Sequence, residues 1–218
     1  VFDEKDARIK REKTQKIIEN TLFTKKLPRL IASRQEALII ANFASQDKIN
    51  LKTDFDANLE NIADINLVEY RILHFATHAI LDTAKPTESG LIFSLFDEKG
   101  LPQNGFLSLD GIYNLNISSD LVVLSACQTA LGRDIRGEGL IGLSRGFLYA
   151  GSKQIVASLW KVDDSATTEF MRLFYRNHLE RKMSASAALR QAKLEMMKIP
   201  RYKSPFYWSA FTLLGDWR

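Results

Sequence analysis

Short apolar runs rich in β-branched and aromatic residues recur along the chain from residue 70 onward. Runs of this length and composition predict strands buried on both faces. Five segments fit the pattern: YRILHFAT (70–77), GLIFSLF (90–96), DLVVLSA (120–126), KQIVASLW (153–160) and YWSAFTLL (207–214). The pattern therefore predicts a sheet in the second two thirds of the chain.

Helical spacing appears between these runs. In GEGLIGLSRGFLYAG (137–151), four apolar residues fall on one helical face and Gly151 is placed to end the helix. Further helices are predicted over 34–44, 164–181 and 184–197, the last two opened by plausible capping residues. A strand, a crossover helix and a second strand indicate a mostly parallel sheet covered by helices, which is an α/β fold.

The segment GLIFSLFDEKGLPQNGFLSL (90–109) has a different character. Two apolar runs are joined by polar turn residues that include Gly100, Pro102 and Gly105. This pattern predicts a β-hairpin beside the main sheet.

The N-terminal part is charged. Residues 5–20 have helical periodicity but too few apolar residues for a helix that stands alone. Val1 begins inside this charged segment, so we expect it to continue an upstream region. The predicted organisation is an N-terminal charged helical segment (1–27) and one main domain (28–218).

The charge of the chain is local. The formal net charge is +4, and residues 1–30 contain nine Lys and Arg against five Asp and Glu, so the remainder is neutral. Without a basic stripe among aromatic residues, we expect no direct contact with nucleic acid. No apolar run reaches the ~20 residues of a membrane helix, and the charged start is unlike a secretory signal, so a cytoplasmic protein is expected.

Two residues stand where reactive groups collect in open parallel sheets, beyond the carboxyl ends of the strands. His78 follows the run YRILHFAT, and Cys127 follows SDLVVLSA. A thiol there can be deprotonated by a neighbouring imidazole and can reach a carbonyl carbon. Cys127 is the single cysteine, which rules out an internal disulfide and a thiolate-rich zinc site. The alternative to a reactive thiol is that Cys127 is a small hydrophobic residue buried in the core.

His74 and His78 form an H-x-x-x-H pair, which raises the alternative of a metal site. On a strand a third ligand must come from elsewhere, and no carboxylate or cysteine partner is indicated. We therefore interpret His74 as an interior histidine with satisfied hydrogen bonds, and we predict no metal and no cofactor.

Five motifs resemble the CHAT family of caspase-like (clan CD) cysteine proteases, which usually accompany TPR repeats. They are HFATHA (74–79), LVVLSACQTALG (121–132), RGEGLIGLSRGFLYAG (136–151), VASLWKVDDSAT (156–167) and YWSAFTLLGDW (207–217). They occur in the family's order and span about residues 28–218. The resemblance implies a caspase-like fold and a catalytic dyad of His78 and Cys127.

The resemblance also implies how the dyad would work. His78 would deprotonate Cys127, and the backbone N–H groups of Cys127 and Ala79 would hold the oxyanion. The family commonly has Gly after the histidine and Glu-Thr-Gly after the cysteine, where this chain has Ala79 and Gln128-Thr129-Ala130. Ala79 would reduce activity if the backbone there needs a positive φ.

Several polar or aromatic residues fall near the expected site. Trp160, Asp163 and Asp164 follow the next strand, so they can form a wall of a substrate groove, and Asp163 or Asp164 could pair with a basic P1 side chain. Asp163 or Asp164 is equally suited to cap the following helix. Glu138 has the same ambiguity at a helix start. The loop 128–138 is expected to be mobile until a partner or upstream region binds.

Three classes of function remain open. The first is a cysteine endopeptidase that acts on a protein or peptide substrate and is regulated by an upstream TPR or sensor region, in a bacterial setting. The second is an inactive caspase-like domain that serves as an interaction module. The third is a nucleotide-binding or small-molecule-binding α/β domain, which the absence of a Gly-rich phosphate loop disfavours.

Overall fold

The architecture comes from a computed structural model that describes residues 29–81, 89–125, 127–130 and 138–217, together with Asp6 and Leu27. For residues 127–130 and 138–140 only the backbone is described. The predicted helix over 5–20 lies outside these ranges.

The described chain contains eight strands. They are β1 (Ile72–Phe75), β2 (His78–Leu81), β3 (Gly90–Ile92), β4 (Phe106–Ser108), β5 (Leu121–Leu124), β6 (Cys127–Ala130), β7 (Gln154–Ser158) and β8 (Phe211–Gly215). The α-helices in the same residues are α1 (Ser33–Ala41), α2 (Leu59–Ala63), α3 (Leu109–Tyr113), α4 (Glu138–Tyr149), α5 (Asp164–Tyr175), α6 (Ala185–Met196) and α7 (Pro205–Trp208). Short 3₁₀ turns occupy Gln46–Lys48, Leu67–Glu69 and Pro200–Tyr202.

The main sheet has the order β1-β5-β7-β8. Strands β1, β5 and β7 run parallel, and β8 is antiparallel to β7. Because side chains alternate between the faces of a strand, each face of this sheet carries its own core. Leu121 and Val123 of β5 belong to the core under α5 and α6, whereas Val122 and Leu124 belong to the core that includes Phe147 of α4. The predicted mostly parallel sheet between helices is confirmed.

A second sheet has the order β4-β3-β2-β6. Strands β3 and β4 form the predicted hairpin, and β3 also pairs antiparallel with β2. The apolar run 90–96 is strand only over Gly90–Ile92, and Ser94 and Phe96 take part in side-chain bonds of the turn. The hairpin therefore adds two short strands to the edge of β2.

Two predicted helix ends are explained by the observed geometry. Gly151 follows α4 at φ +119°, and a Cβ there would lie 2.0 Å from the carbonyl oxygen of Ile117, so only glycine fits. The predicted helix 164–181 is α-helical only to Tyr175, and a π-helical turn (Arg176–Glu180) completes it.

The last predicted strand began too early. Ser204 caps a helical turn at Pro205, so Tyr207 and Trp208 are helical, and β8 begins only at Phe211. Proline at the first helical position favours this turn because its φ suits a helix start. Across the part of the chain that the structure describes, the helices are too short and too polar to cross a membrane.

Candidate functional site

His78 and Cys127 lie on two chain segments that run side by side in one constant register. In the main sheet Ile72 pairs with Leu121 and Phe75 with Leu124, and in the second sheet His78 pairs with Cys127. Every one of these pairs is 49 residues apart, so the register continues across the short breaks after β1 and β5. The backbone of His78 is therefore directly beside that of Cys127, at the strand spacing of about 4.8 Å.

The two breaks place both residues just past the carboxyl ends of β1 and β5. The amide of Ser125 still donates to the carbonyl of Phe75, at 3.1 Å, and pairing between the segments resumes at His78 and Cys127. The sequence predicted that both residues end apolar strands at the carboxyl edge of the sheet. The structure instead makes each the first residue of a second strand.

The imidazole of His78 is deeply buried. Strand β2 lies between β3 and β6, and His78 is only 1% exposed. The preceding residue, Thr77, is also buried, and its hydroxyl donates a hydrogen bond to the carbonyl of Ile92, the residue that pairs with His78. This bond attaches the start of β2 to the hairpin. Thr77 was not singled out in the sequence, because a threonine in a strand is ordinary.

Ala79 does not need the backbone freedom of glycine. Among the described non-glycine residues, those with positive φ are Asp54 and Lys182. Ala79 pairs with Leu91 on one side and Gln128 on the other and is 1% exposed. The departure from glycine therefore costs no backbone strain. Its N–H lies inside a three-stranded arrangement, where β6 would have to separate from β2 before a substrate reached it.

The side chain of Cys127 and residues 126 and 131–137 lie outside the described residues. The expected mobile loop 128–138 is thus described only at its ends, by the backbone of β6 and by Glu138. Glu138 is the first residue of α4, the helix start that the sequence suggested for it.

Trp160 follows the carboxyl end of β7. Strand β7 ends at Ser158, and Trp160 lies two residues later in a bend. The indole N–H of Trp160 donates to the carbonyl of Phe206 at 3.0 Å, which attaches it to α7. Trp160 therefore lies past the edge of the sheet at which β1 and β5 also end.

Asp163 caps α5. Its carboxylate accepts hydrogen bonds from the amides of Ser165 and Ala166, both at 3.1 Å, and from the hydroxyl of Ser165. The Ser165 hydroxyl is the largest cause that lowers the pKa of Asp163, and the two amides act in the same direction against partial burial. The cap alternative is confirmed for Asp163. Asp164 is the first residue of α5.

His74 is an interior histidine, as predicted, and it joins three elements. Its Nε2 lies 2.8 Å from a carboxylate oxygen of Glu36 on α1, and its Nδ1 lies 3.0 Å from the hydroxyl of Tyr175 on α5. Glu36 is 3% exposed and Tyr175 is 1% exposed. Burial first, and the Glu36 charge second, raise the pKa of Tyr175 well above its usual value of 10.0. No pattern in the sequence singles out Glu36, because it resembles the many surface carboxylates found on helices.

Within the described ranges, no three His, Cys, Asp or Glu side chains come together as a metal ion would require. The histidine pair of the H-x-x-x-H motif is divided between two environments, since His74 faces α1 and α5 whereas His78 pairs with the hairpin and β6.

The fold and the paired His78 and Cys127 define an α/β domain of the caspase-like type. The CHAT domain family model matches residues 4–216, nearly the whole chain, and this chain belongs to the CHAT family, which is related to caspase-like proteases.

Two curated relatives carry a similar segment. Tetratricopeptide repeat protein 28 of Mus musculus is 36% identical over 110 residues, which are 50% of this chain and 4% of that protein. Tetratricopeptide repeat protein 28 of Homo sapiens is 32% identical over 114 residues, 52% of this chain and 4% of that protein. The chain thus matches a small part of two much longer proteins.

Proposed function

We propose that this domain is a cysteine endopeptidase with a dyad of His78 and Cys127. The observation that carries the proposal is the register that places the two residues directly opposite each other on adjacent parallel strands. Within a parallel sheet, such a pair at the carboxyl edge is where loops can present a peptide without interrupting the ladder.

The chemistry follows from the two groups. His78 takes the thiol proton of Cys127, and the thiolate attacks the carbonyl carbon of the scissile peptide bond. The tetrahedral intermediate expels the amine, which takes the proton from His78, and leaves a thioester on Cys127. Water, deprotonated by His78, then hydrolyses the thioester to a free carboxylate and the thiol. The backbone amides of Cys127 and Ala79 are the proposed oxyanion donors.

The burial of His78 bears on how such an enzyme would be controlled. His78 is 1% exposed, and β6 pairs with the strand that carries it. We propose that this is the resting form and that activity requires β6 to separate from β2. A change there would move the loop 128–138, as expected of caspase-like enzymes.

Control by a neighbouring region or partner protein fits this resting form. The relatives are named for tetratricopeptide repeats. We propose that TPR repeats or a comparable sensor act on this domain and that the substrate is a protein, in a soluble compartment such as the cytoplasm.

The second candidate is an inactive CHAT domain that serves as an interaction module. The observation that favours it is the same burial of His78, because a site with no need of substrate access can be packed shut. The two candidates differ in whether Cys127 reacts with a peptide electrophile.

Intact mass after incubation with peptide acyloxymethyl ketones of differing P1 residue tests the proposal. Transient separation of β6 from β2 should allow slow labelling up to one adduct per chain, and since the chain has one cysteine the position of the adduct is unambiguous. Cys127→Ala should show none, and His78→Gln, which keeps a polar side chain of similar size, should lose at least 100-fold in labelling rate because general-base activation contributes roughly that factor or more.

Iodoacetamide alkylation of the same variants gives the control. In the wild type the pH midpoint of alkylation should lie below the value of ~8.5 of a free thiol, and it should rise towards that value in His78→Gln. Ready alkylation with an unshifted midpoint and no peptide ketone adduct would instead support the interaction module.

A further inference from the structure

Helix α6 directs three kinds of side chain in three directions. Its core face consists of fully buried small or apolar residues: Ala185, Ala188, Ala192 and Met196. A second face carries Glu195, whose carboxylate pairs with Arg176 and Arg181. Residues three or four positions apart align along a helix, and a third, outward stripe of this kind is formed by Ser186, Arg190, Lys193 and Met197. This stripe combines two cations with apolar surface and contains no carboxylate.

A groove of about 400 Å³ runs along the outward stripe of α6. Trp208 of α7 and Leu213 of β8 form its opposite wall, and Leu189 and Leu194 of α6 complete the apolar lining. The indole N–H of Trp208 donates to the carbonyl of Lys203 at 3.3 Å, which fixes the orientation of that wall. We name the space between the outward stripe and this wall the α6 groove.

The α6 groove has the length of a short helix. At one end the hydroxyl of Ser186 donates to the carbonyl of Trp217, at 2.9 Å. From Ser186 to Met197 a helix rises about 16 Å, which is about three turns. With about one apolar side chain per turn, a helical ligand would place two or three such side chains in the groove.

The two cations of the α6 groove have no carboxylate partner within the described part of the chain. The nearby Glu195 is engaged by arginines on another face of α6. Asp216, at the end of β8, lines a different cavity together with Lys153. Arg190 and Lys193 are therefore available to an anion from outside.

The position of Lys193 points to such an anion independently. Its side chain is half-buried, and this burial lowers the pKa of Lys193 below its usual value without an opposing contribution from a carboxylate. Partial burial of a cation that has no partner costs stability. A carboxylate supplied by a ligand would stabilise Lys193 and remove that cost.

Charge also decides which kind of segment fits the α6 groove. Residues 7–26, which the structure does not describe, contain seven Lys and Arg against two Glu. Like charges would oppose the binding of this segment beside Arg190 and Lys193. The segment 82–88 connects β2 to β3 of the second sheet, whereas the α6 groove adjoins β8 of the main sheet. The complementary ligand is a segment rich in Asp and Glu from another polypeptide.

We propose that the α6 groove binds an acidic amphipathic helix of a partner protein. Apolar side chains of the partner enter the groove between Met197 and Trp208, and carboxylates beside them pair with Arg190 and Lys193. An amphipathic helix bound in a groove is anchored by apolar side chains one turn apart, and complementary charges select the partner. The proposal does not depend on catalysis by Cys127.

Fluorescence anisotropy with the whole chain and three labelled peptides of about twelve residues tests the proposal. The first peptide has Leu along one helical stripe and Glu and Ala elsewhere, the second has Lys in place of Glu, and the third has Ser in place of Leu. The first should bind saturably, and each replacement should weaken binding by about tenfold or more, because it removes the complementary charge or the apolar anchors. Equal affinity for the acidic and basic peptides, or binding of none, would overturn the proposal.

Two matched pairs of variants locate the bound peptide. Lys193→Gln removes a cation of the groove, and Lys99→Gln makes the same change at an exposed position in the hairpin turn. Met197→Gln and Leu101→Gln change apolar side chains that are 42% and 41% exposed. The groove variants should raise the Kd by about tenfold or more, and the hairpin variants should leave it unchanged. Equal effects within a pair would place the peptide elsewhere and contradict the proposal.

The stability of Lys193→Gln separates loss of binding from loss of fold. The variant removes a half-buried charge, so its urea midpoint should equal or exceed that of the wild type. A lowered midpoint would show that the charge of Lys193 already has a stabilising partner in the free chain, and the proposal would be wrong.

The titration of Lys193, followed by NMR of its side chain, needs no variant. In the free chain its pKa should lie below the usual value of 10.5. The acidic peptide should raise this pKa, because a nearby carboxylate favours the charged form. An unchanged pKa in the saturated complex would overturn the pairing of Lys193 with the partner.

Occupants from the protein itself are outcomes of the same assay. A peptide of residues 7–26 should not compete with the labelled acidic peptide, and sedimentation of the chain should show no dimer that the acidic peptide dissociates. Competition would assign the groove to the N-terminal segment, and such a dimer would assign it to a second copy. Either result would refute a partner protein as the occupant.

Discussion

The main sheet is packed more closely on the side of β7 and β8 than on the side of β1. On the side of β7 and β8, the strands lie under α5 and α6, and Phe170 and Phe211 stack with ring centroids 4.0 Å apart at 0% exposure. On the side of β1, the strand is half-exposed and borders a large cavity. The side of β7 and β8 therefore contributes more to stability than the side of β1.

Truncation of an aromatic ring on each side should give the largest difference in the free energy of unfolding. Phe170→Ala should lower the free energy of unfolding by about 3–5 kcal/mol, because a fully buried ring is removed. Phe75→Ala, on the half-exposed strand β1, should cost roughly half as much because less of the ring leaves water on folding. Urea unfolding followed by circular dichroism measures both. Equal losses would show that the two sides are packed alike.

The network of Glu36, His74 and Tyr175 connects the two sides, since it joins α1 and β1 to α5. Tyr175→Phe should cost about 1–3 kcal/mol, because a ring nitrogen of His74 loses its buried partner. Tyr149→Phe, at a side chain that is 77% exposed, is the control and should change little.

The effect of Tyr175→Phe on stability should depend on pH. The raised pKa of Tyr175 means that the unfolded chain loses this proton first as pH rises. Its stabilising contribution is therefore complete below the unfolded value of ~10 and declines above it. The difference in stability between wild type and Tyr175→Phe should shrink above pH 10, and a constant difference would contradict the assignment.

The smallest effect is expected at Asp163, on the packed side near the candidate groove. Asp163→Ala should cost about 1 kcal/mol through loss of the helix cap, and Asp163→Asn should keep most of that stability because Asn is an equally good cap. The lowered pKa of Asp163 means that its charge stabilises the fold above the unfolded value of ~4, and this part is lost as pH falls through the lowered folded value.

Asp163→Asn also separates the cap from a role in substrate choice. If the charge meets a basic P1 side chain, the variant should label more slowly with Arg or Lys peptide ketones but not with Leu ketones. Parallel rates for all P1 residues would leave Asp163 as a cap alone.

Features set by local chemistry were predictable from the sequence. The apolar runs predicted β1, β5 and β7, and the turn residues of 97–105 predicted the hairpin, because each depends on residues close in the chain. The juxtaposition of His78 and Cys127 was also predictable, since parallel strands bring their carboxyl ends together.

Features set by distant contacts were not predictable. The start of β8 was misplaced because Ser204 and Pro205 favour a helical turn that the apolar run 207–214 concealed. The burial of Glu36 depends on His74, 38 residues away, and that of His78 depends on two strands that pair with β2. The cavity that β1 borders could not be foreseen either, because a cavity depends on how distant elements pack.

The constant spacing of 49 residues between paired positions has a consequence for which length changes the domain tolerates. A residue inserted into the turn between β3 and β4, or between α3 and β5, lies outside the paired segments and leaves both ladders intact. A residue inserted between Ile72 and His78, or between Leu121 and Cys127, would offset one segment against the other and move His78 and Cys127 out of alignment by one position, with the side-chain faces reversed. Insertion scanning should therefore find intolerant windows at 72–78 and 121–127, whereas the turn between β3 and β4 and the segment between α3 and β5 should tolerate an added residue.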